Sequence, residues 1–256
     1  MNAVVLSRRV CLQGGLLALC PTLGRAQPAG GRIVVSFSLL ADIVRQVAPP
    51  AFEVQTLVGA DADAHVFEPR PADARRLAEA DLVVVNGLGF EGWLDRLVKA
   101  SGYRGTVVVA SRDAQPRTVG GGADPHAWQD LARARRYVAT VAAALVERWP
   151  DQASQVQQRA AAYDGRLAAL DADVRQWLGT VARDQRRVIT SHDAFGYFGA
   201  AYGVDFLSPQ GWNTHSEPSA AAVARLIQQI RRQKVRALFV ENISDPRLLQ
   251  RIATET

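Results

Sequence analysis

Seven short runs rich in β-branched residues form two groups of predicted strands. The first group is RIVVSF, FEVQTLV, DLVVVNG and TVVVAS at 32–37, 52–58, 81–87 and 106–111, and the second is RVITS, VDFLS and RALFVE at 187–191, 204–208 and 236–241. Helical patterns lie between the runs. Continuous apolar strands that alternate with helices are typical of parallel sheets covered on both faces. The chain is therefore predicted to be an α/β protein with two parallel sheets, each flanked by helices.

One long helical pattern separates the two groups. From Asp151 to Gly179, apolar or small residues recur at alternating steps of four and three, and no proline interrupts them. A helix of this length spans about 40 Å at 1.5 Å per residue, and a short coiled-coil seam is the alternative interpretation. We predict an N-terminal lobe at 27–150, one rigid linking helix at 151–180 and a C-terminal lobe at 181–256.

The first 26 residues have the pattern of an export signal. Arg8 and Arg9 precede an apolar stretch at 10–20, and small residues follow around Ala26. The Arg8-Arg9 pair also resembles a twin-arginine signal, and a buried N-terminal helix is the alternative. Cys20 follows Leu19, where a lipoprotein signal has a small residue. We therefore predict a cleavable signal peptide at 1–26 and a soluble protein in the periplasm.

Removal of this segment changes the charge and the available metal ligands. The whole chain carries a formal charge of +5, and the segment contains three arginines and no acid, so the remainder carries +2. A nearly neutral protein has little electrostatic attraction for nucleic acid, and we expect no such partner. Cys11 and Cys20 also lie in the segment. The mature chain therefore has no disulfide and no thiolate site, and any metal must be bound by imidazole and carboxylate groups.

Three of the four histidines lie at the ends of predicted elements. His65, in DADAHVFEPRPAD, follows the second strand, and His192 directly follows RVITS. Ligands of open parallel sheets bind at these carboxyl ends. His126, in ADPHAW, is predicted to lie in the first turn of a helix that Asp124 caps, where the helix dipole favours the neutral imidazole that a metal requires. Because spacings of about sixty residues match no local metal motif, a shared metal site and ordinary loop histidines both remain open.

Three motifs resemble those of the metal-binding receptors of bacterial ABC importers for zinc and manganese. DADAHVFEPRPADARRLAEADLVVVNGLGFEGWLDRL resembles the first ligand block of that family, and ADPHAW and VITSHDAFGYFGAAYGV resemble the second and third, in the same order. The similarity extends from Arg32 to the end. It implies that His65, His126 and His192 are metal ligands, that two α/β lobes are joined by one long helix, and that a membrane permease is the partner.

The ligand set also implies a metal. Three imidazoles favour Zn²⁺, whereas Mn²⁺ prefers oxygen donors, and manganese receptors of the family usually have glutamate in place of His192. We expect Zn²⁺, with manganese or mixed-metal binding as the alternative.

The fourth ligand of the family is an aspartate beyond the segment that matches this chain's last residues. We therefore expect an incomplete C-terminal lobe and a fourth position filled by water, Glu217 or Glu241. His215 is expected to be a solvated loop residue, with a supplementary ligand as the alternative.

The predicted function is a monomeric periplasmic receptor. It binds a zinc ion with high affinity and delivers it to the permease of an ABC importer, without catalysis. The alternative from another class is a zinc-dependent hydrolase whose three-histidine site activates water, although the sequence offers no motif for a general base. Cell adhesion is described for some members of the resembled family, and no residue of this chain marks it.

Overall fold

A four-stranded parallel sheet forms the centre of the first lobe. The computed structural model describes residues 30–212, 214–235 and 237–256, so the predicted signal peptide at 1–26 lies outside the described residues. The sheet has the order β2-β1-β3-β4, and all its neighbouring strands are parallel. Its strands are β1 (Arg32–Phe37), β2 (Glu53–Val58), β3 (Leu82–Val85) and β4 (Val107–Val109). All four strands were predicted, and three of them are shorter than predicted.

Helices cover this sheet and complete the larger core. They are α1 (Ser38–Val47), α2 (Pro71–Ala78), α3 (Leu94–Ser101) and α4 (Leu131–Arg148). All four residues of β3 are buried, as are five of the six in β1. Because β3 is apolar along its whole length and β1 is apolar apart from Arg32 and Ser36, both faces of the sheet must be covered. The polar loops that follow the strands therefore lie at the carboxyl edge of the sheet, and His65 is in one of them.

The second lobe is smaller and has the same architecture. Its parallel sheet has the order β8-β7-β9, with β7 (Arg187–Ile189), β8 (Asp205–Leu207) and β9 (Ala237–Leu238). Its helices are α6 (Gly196–Tyr202), α7 (Ala220–Gln233) and α8 (Arg247–Thr254). The core of this lobe consists of buried aliphatic residues from these elements: Ile189, Leu226, Ile227, Ile230, Leu249 and Ile252. A core of this size provides far less apolar burial than that of the first lobe.

The predicted linking helix is present as α5 (Ala153–Gly179), which has 27 residues and follows a 3₁₀ turn at Pro150–Gln152. Its amino-terminal half packs against α1 and α4, and Arg135 of α4 forms two hydrogen bonds with Asp164 of α5, at 2.7 and 2.8 Å. The apolar stripe predicted along this helix is only partly buried, because Leu170 and Trp177 remain 41% and 60% exposed. The fold class of two helix-flanked parallel sheets with one long helix is confirmed.

A short hairpin precedes the second predicted ligand. Strands β5 (Thr118–Val119) and β6 (Gly122–Ala123) pair antiparallel in a segment for which no strand was predicted. Gly120 and Gly121 form the turn with φ of 56° and 83°, a conformation that glycine adopts without steric cost. The hairpin ends next to Asp124, two residues before His126.

Among the residues that the structure describes, no helix combines the length and the apolar character needed to cross a bilayer.

Candidate metal centre

The three predicted ligands lie together between the two lobes. His65 is in the loop after β2, His126 lies between β6 and α4, and His192 follows β7. Each is buried, with 2–3% of its surface exposed. Their potential ligand atoms all lie within 4.8 Å of one another, and the Nε2 atoms of His65 and His126 are 3.2 Å apart. Residues more than sixty positions apart thus place three nitrogen donors around one small volume.

Aromatic rings and one carboxylate position His65. The imidazole makes an edge-on contact with the ring of Phe90, with 4.6 Å between the ring centroids. Its backbone N–H donates to Asp63 Oδ1 at 2.8 Å, and the indole N–H of Trp93 donates to the carbonyl of Ala64 at 2.8 Å. The backbone just before His65 is therefore anchored, and the ring of the ligand packs against Phe90.

Asp124 and Asn86 hold the turn that carries His126. Asp124 Oδ1 lies 2.9 Å from the ring Nδ1 of His126 and accepts a hydrogen bond from its backbone N–H at 3.1 Å. The buried side chain of Asn86 donates to the carbonyl of Pro125 at 3.0 Å. Because Asp124 contacts Nδ1, the Nε2 atom of His126 faces the other histidines. Carboxylate partners of this kind fix the orientation of metal-binding imidazoles.

The sequence prediction for this segment was wrong in one respect. Asp124 is not the cap of a helix that contains His126, since that histidine precedes a 3₁₀ turn at Ala127–Gln129. The α-helix begins at Leu131, where the Asp130 side chain accepts from the backbone N–H of Ala132 at 2.9 Å. A second capping aspartate six residues later satisfies the helix terminus, and this leaves Asp124 free to orient the imidazole.

Glu241 is the corresponding partner of His192. Its Oε2 lies 2.6 Å from the ring Nδ1 of His192, and its Oε1 accepts the backbone N–H groups of Ser191 and His192 at 2.9 and 3.1 Å. Both ring nitrogens are buried and lack a hydrogen bond of good geometry; Nδ1 has the close contact with the Glu241 carboxylate, whereas Nε2 has no partner among the described residues. A buried polar atom without a partner is rare in a folded protein. A bound metal ion would provide the partner that Nε2 lacks.

The other candidate ligands are outside the three-histidine group. Glu241 contacts the far side of His192, so it supports that ligand instead of filling the fourth position. Glu217 and His215 are both exposed. The described residues contain no other group of three or more potential ligands in such proximity. The supporting role of Asp124 was missed in the sequence, although its place two residues before His126 was a usable signal.

Burial favours the neutral form of two of the imidazoles, those of His65 and His126. It lowers the pKa of His65 to about 3, with smaller contributions from the nearby His126, His192 and His215. Burial also lowers the pKa of His126, while the hydrogen bond to Asp124 acts in the opposite direction. Since a protonated imidazole cannot bind a cation, these shifts favour the metal-binding form.

Two α/β lobes on a long helix, with a buried cluster of nitrogen donors between them, are the architecture of a substrate-binding receptor that binds a metal for an ABC importer. The chain belongs to the family described as zinc-uptake complex component A, periplasmic, which matches residues 33–256. Members of this family are substrate-binding proteins of transporters and not enzymes. The hydrolase alternative is thereby excluded.

Individual relatives are named for different metals. The chain is 33% identical over 228 residues to the manganese-binding lipoprotein MntA of Halalkalibacterium halodurans, covering 89% of this chain and 76% of that protein. It is 29% identical over 266 residues to the manganese ABC transporter substrate-binding lipoprotein PsaA of Streptococcus pneumoniae, covering 99% and 86%. In fold it is similar to the periplasmic zinc-binding protein TroA of Treponema pallidum, with a TM-score of 0.84, 29% identity and coverage of 88% and 83%.

Proposed function

We propose that this protein is a zinc receptor in which His65, His126 and His192 bind one Zn²⁺ ion and from which the ion passes to the permease of an ABC importer. The observation that carries the proposal is the group of three buried imidazoles, whose ligand atoms lie within 4.8 Å of one another. Catalytic zinc sites commonly combine three protein ligands with an exchangeable fourth position, and three histidines would leave such a position here. An exchangeable position suits a receptor, because the ion must leave again.

The choice of zinc over manganese follows from the donor atoms. No carboxylate belongs to the three-histidine group in the described part of the chain, and the nearest ones, Asp124 and Glu241, are engaged with imidazole Nδ1 atoms. Nitrogen donors suit Zn²⁺, whereas Mn²⁺ prefers oxygen. The names of the manganese-binding relatives support the opposite choice, so manganese is the second candidate.

Competition for the metal tests this proposal. We expect the purified protein to bind one zinc ion, and excess Mn²⁺ to displace it poorly, because the general affinity order places Mn²⁺ far below Zn²⁺ at nitrogen sites. The measurement is a titration with a zinc indicator in the presence of increasing Mn²⁺. Displacement of zinc by an equimolar amount of manganese would exclude zinc as the preferred cargo.

The lobes and the linking helix are proposed to act as separate parts of a monomer. The N-terminal lobe at 27–150 provides His65 and His126, the helix at 151–180 holds the spacing, and the C-terminal lobe at 181–256 provides His192. A change in the angle between the lobes would separate His192 from the other two ligands and release the ion.

Export is proposed to depend on residues 1–26. Cleavage after Ala26 would release a soluble protein, whereas lipid attachment at Cys20 would anchor it to the membrane, in keeping with the relatives that are named lipoproteins. Because Leu19 does not suit a lipoprotein signal, we propose cleavage after Ala26. The mass of the mature protein from the native cell distinguishes the two, and a lipid-bearing Cys20 at its N-terminus would overturn this proposal.

Replacing Glu241 by glutamine is expected to lower zinc affinity roughly ten- to a hundredfold, the usual cost of losing the carboxylate that supports a ligand. The substitution preserves the size of the side chain but removes the negative charge beside His192 Nδ1. Competition with a chelator of known affinity measures the change. Glu217→Gln is the matched control, because this exposed carboxylate lies outside the three-histidine group. Equal zinc affinities for the two variants would show that Glu241 does not support His192 as a ligand.

A further inference from the structure

Asn242, the residue after Glu241, contacts the first lobe, whereas Glu241 contacts the second. Glu241 faces His192 within its own lobe, whereas the Asn242 side chain extends across the cleft to the loop that carries His65. The Asn242 Nδ2 group donates to the carbonyl of Ala60 at 3.0 Å and to Asp61 Oδ1 at 2.8 Å. Two consecutive residues of the second lobe therefore contact the ligand-bearing segments of both lobes.

A second hydrogen bond from the same lobe reaches this loop. The Thr214 hydroxyl donates to Asp63 Oδ2, and the other oxygen of Asp63 accepts the backbone N–H of His65 at 2.8 Å. The position of the His65 loop is thus linked to the second lobe at both Asp61 and Asp63. Movement of that lobe away from the cleft must break these bonds.

A third connection between the lobes differs in its environment. Tyr197 of α6 is fully buried, and its hydroxyl donates to the carbonyl of Asp124 and accepts from the backbone N–H of Arg117, both at 2.8 Å. Breaking a buried hydrogen bond leaves polar groups without partners, whereas water replaces the partners of an exposed one. The bonds of Asn242 are exposed. The lobes therefore separate more readily at Asn242 than at Tyr197.

We propose that Asn242, with Thr214, forms an interlobe latch that slows release of the bound ion. The latch rests on the proposed receptor function, but it contributes no metal ligand. Asn242 is a positioning residue: it keeps the His65 loop against the second lobe, so that His65 and His192 stay within reach of the same ion. The buried contact at Tyr197 persists while the latch opens, and it directs the opening to one side of the cleft.

Release kinetics test the latch. With Asn242→Ala, we expect zinc to leave the loaded protein roughly five- to thirtyfold faster, the factor that corresponds to the loss of two hydrogen bonds of ordinary strength. The measurement is transfer of zinc to an excess of chromogenic chelator in a stopped-flow instrument.

A matched control separates the latch from a general loss of surface bonds. Gln46 of α1 is also an amide side chain with an exposed interaction, since it accepts a hydrogen bond from Arg166 of α5 at 2.5 Å, away from the cleft. Gln46→Ala is expected to leave the release rate unchanged. Equal acceleration by Gln46→Ala and Asn242→Ala would overturn the latch, as would a release rate that Asn242→Ala does not change.

An exchange of side chains tests the specific pair. Asn242→Asp alone places a carboxylate opposite Asp61 and is expected to accelerate release at least as much as the alanine variant. Adding Asp61→Asn restores one donor and one acceptor between the two side chains but not the bond to the Ala60 carbonyl, so we expect partial recovery of the original rate, as for directly interacting partners. No recovery would overturn the pairing.

The failure of the latch can be distinguished from the failure of the proposed function. If the unmodified protein takes up no zinc, the proposed function fails. If it takes up zinc and the variants release it at the normal rate, only the latch fails.

Discussion

Replacing His126 by alanine is expected to lower zinc affinity by roughly a hundred- to a thousandfold. Protein zinc sites with four ligands bind with about 10–16 kcal/mol, so one ligand accounts for about 2.5–4 kcal/mol, and each 1.4 kcal/mol is tenfold in affinity. Alanine also leaves Asp124 without the imidazole that it orients at 2.9 Å. The measurement is competition with a chelator whose zinc affinity is known.

The fourth histidine provides the control for this prediction. His215 is exposed and lies outside the three-histidine group, so His215→Ala is expected to change zinc affinity by less than about threefold, in keeping with the small effects of surface substitutions. His65→Ala and His192→Ala are expected to behave as His126→Ala does. A variant of any of the three that still binds zinc as tightly as the original would remove that residue from the ligand set.

Zinc is expected to raise the thermal midpoint by roughly 8–16 °C at a free concentration a thousandfold above its Kd. Binding to the folded state alone contributes about 4.1 kcal/mol under this condition, and each kcal/mol shifts the midpoint of a protein of this size by about 2–4 °C. The effect has a structural reason in this chain, because His192 belongs to the lobe with the smaller core and the other two ligands to the larger one. The ion therefore joins the two lobes.

Calorimetric scans with zinc and with excess chelator measure this shift. His126→Ala provides the control, since its weaker site is expected to show a much smaller rise at the same zinc concentration. An equal rise in the variant would mean that zinc stabilises the protein through some other site. No rise in the original protein would contradict binding to the folded state.

The strands of the first lobe were predictable because hydrophobic burial determines them locally. Val83 and Val84 belong to a continuous apolar run, and only a strand covered on both faces accommodates it. Strand β9 was predicted at 236–241 but spans Ala237–Leu238, and Phe239 and Val240 are 59% and 46% exposed. An apolar run predicts an extended segment, but the length of a strand depends on the neighbour that pairs with it, which local sequence does not specify.

The course of the backbone near His126 was less predictable. Asp124 and Asp130 both carry side chains that favour a helix terminus, and the sequence does not show which of them caps α4. The hairpin before Asp124 has only two residues in each strand, too few for a periodic pattern. These details depend on tertiary contacts such as the bond from Tyr197 to the Asp124 carbonyl.

The candidate site was predictable in its members but not in its geometry. Placement at the ends of elements indicated His65, His126 and His192 as candidates, and the family resemblance selected them as ligands. That their rings meet depends on how two separate sheets are oriented, which no local pattern encodes. For the same reason, Glu241 was considered as a fourth ligand, whereas the structure places its carboxylate behind His192. Metal binding by the three histidines remains a prediction.

X-ray absorption at the zinc edge of the loaded protein tests the central claim most directly. We predict three imidazole nitrogens at about 2.0–2.1 Å and one further light atom, with the multiple scattering that imidazole rings produce. A signal that corresponds to three imidazole ligands would place a single ion between His65, His126 and His192. A first shell of oxygen atoms with fewer than two imidazoles would contradict the site.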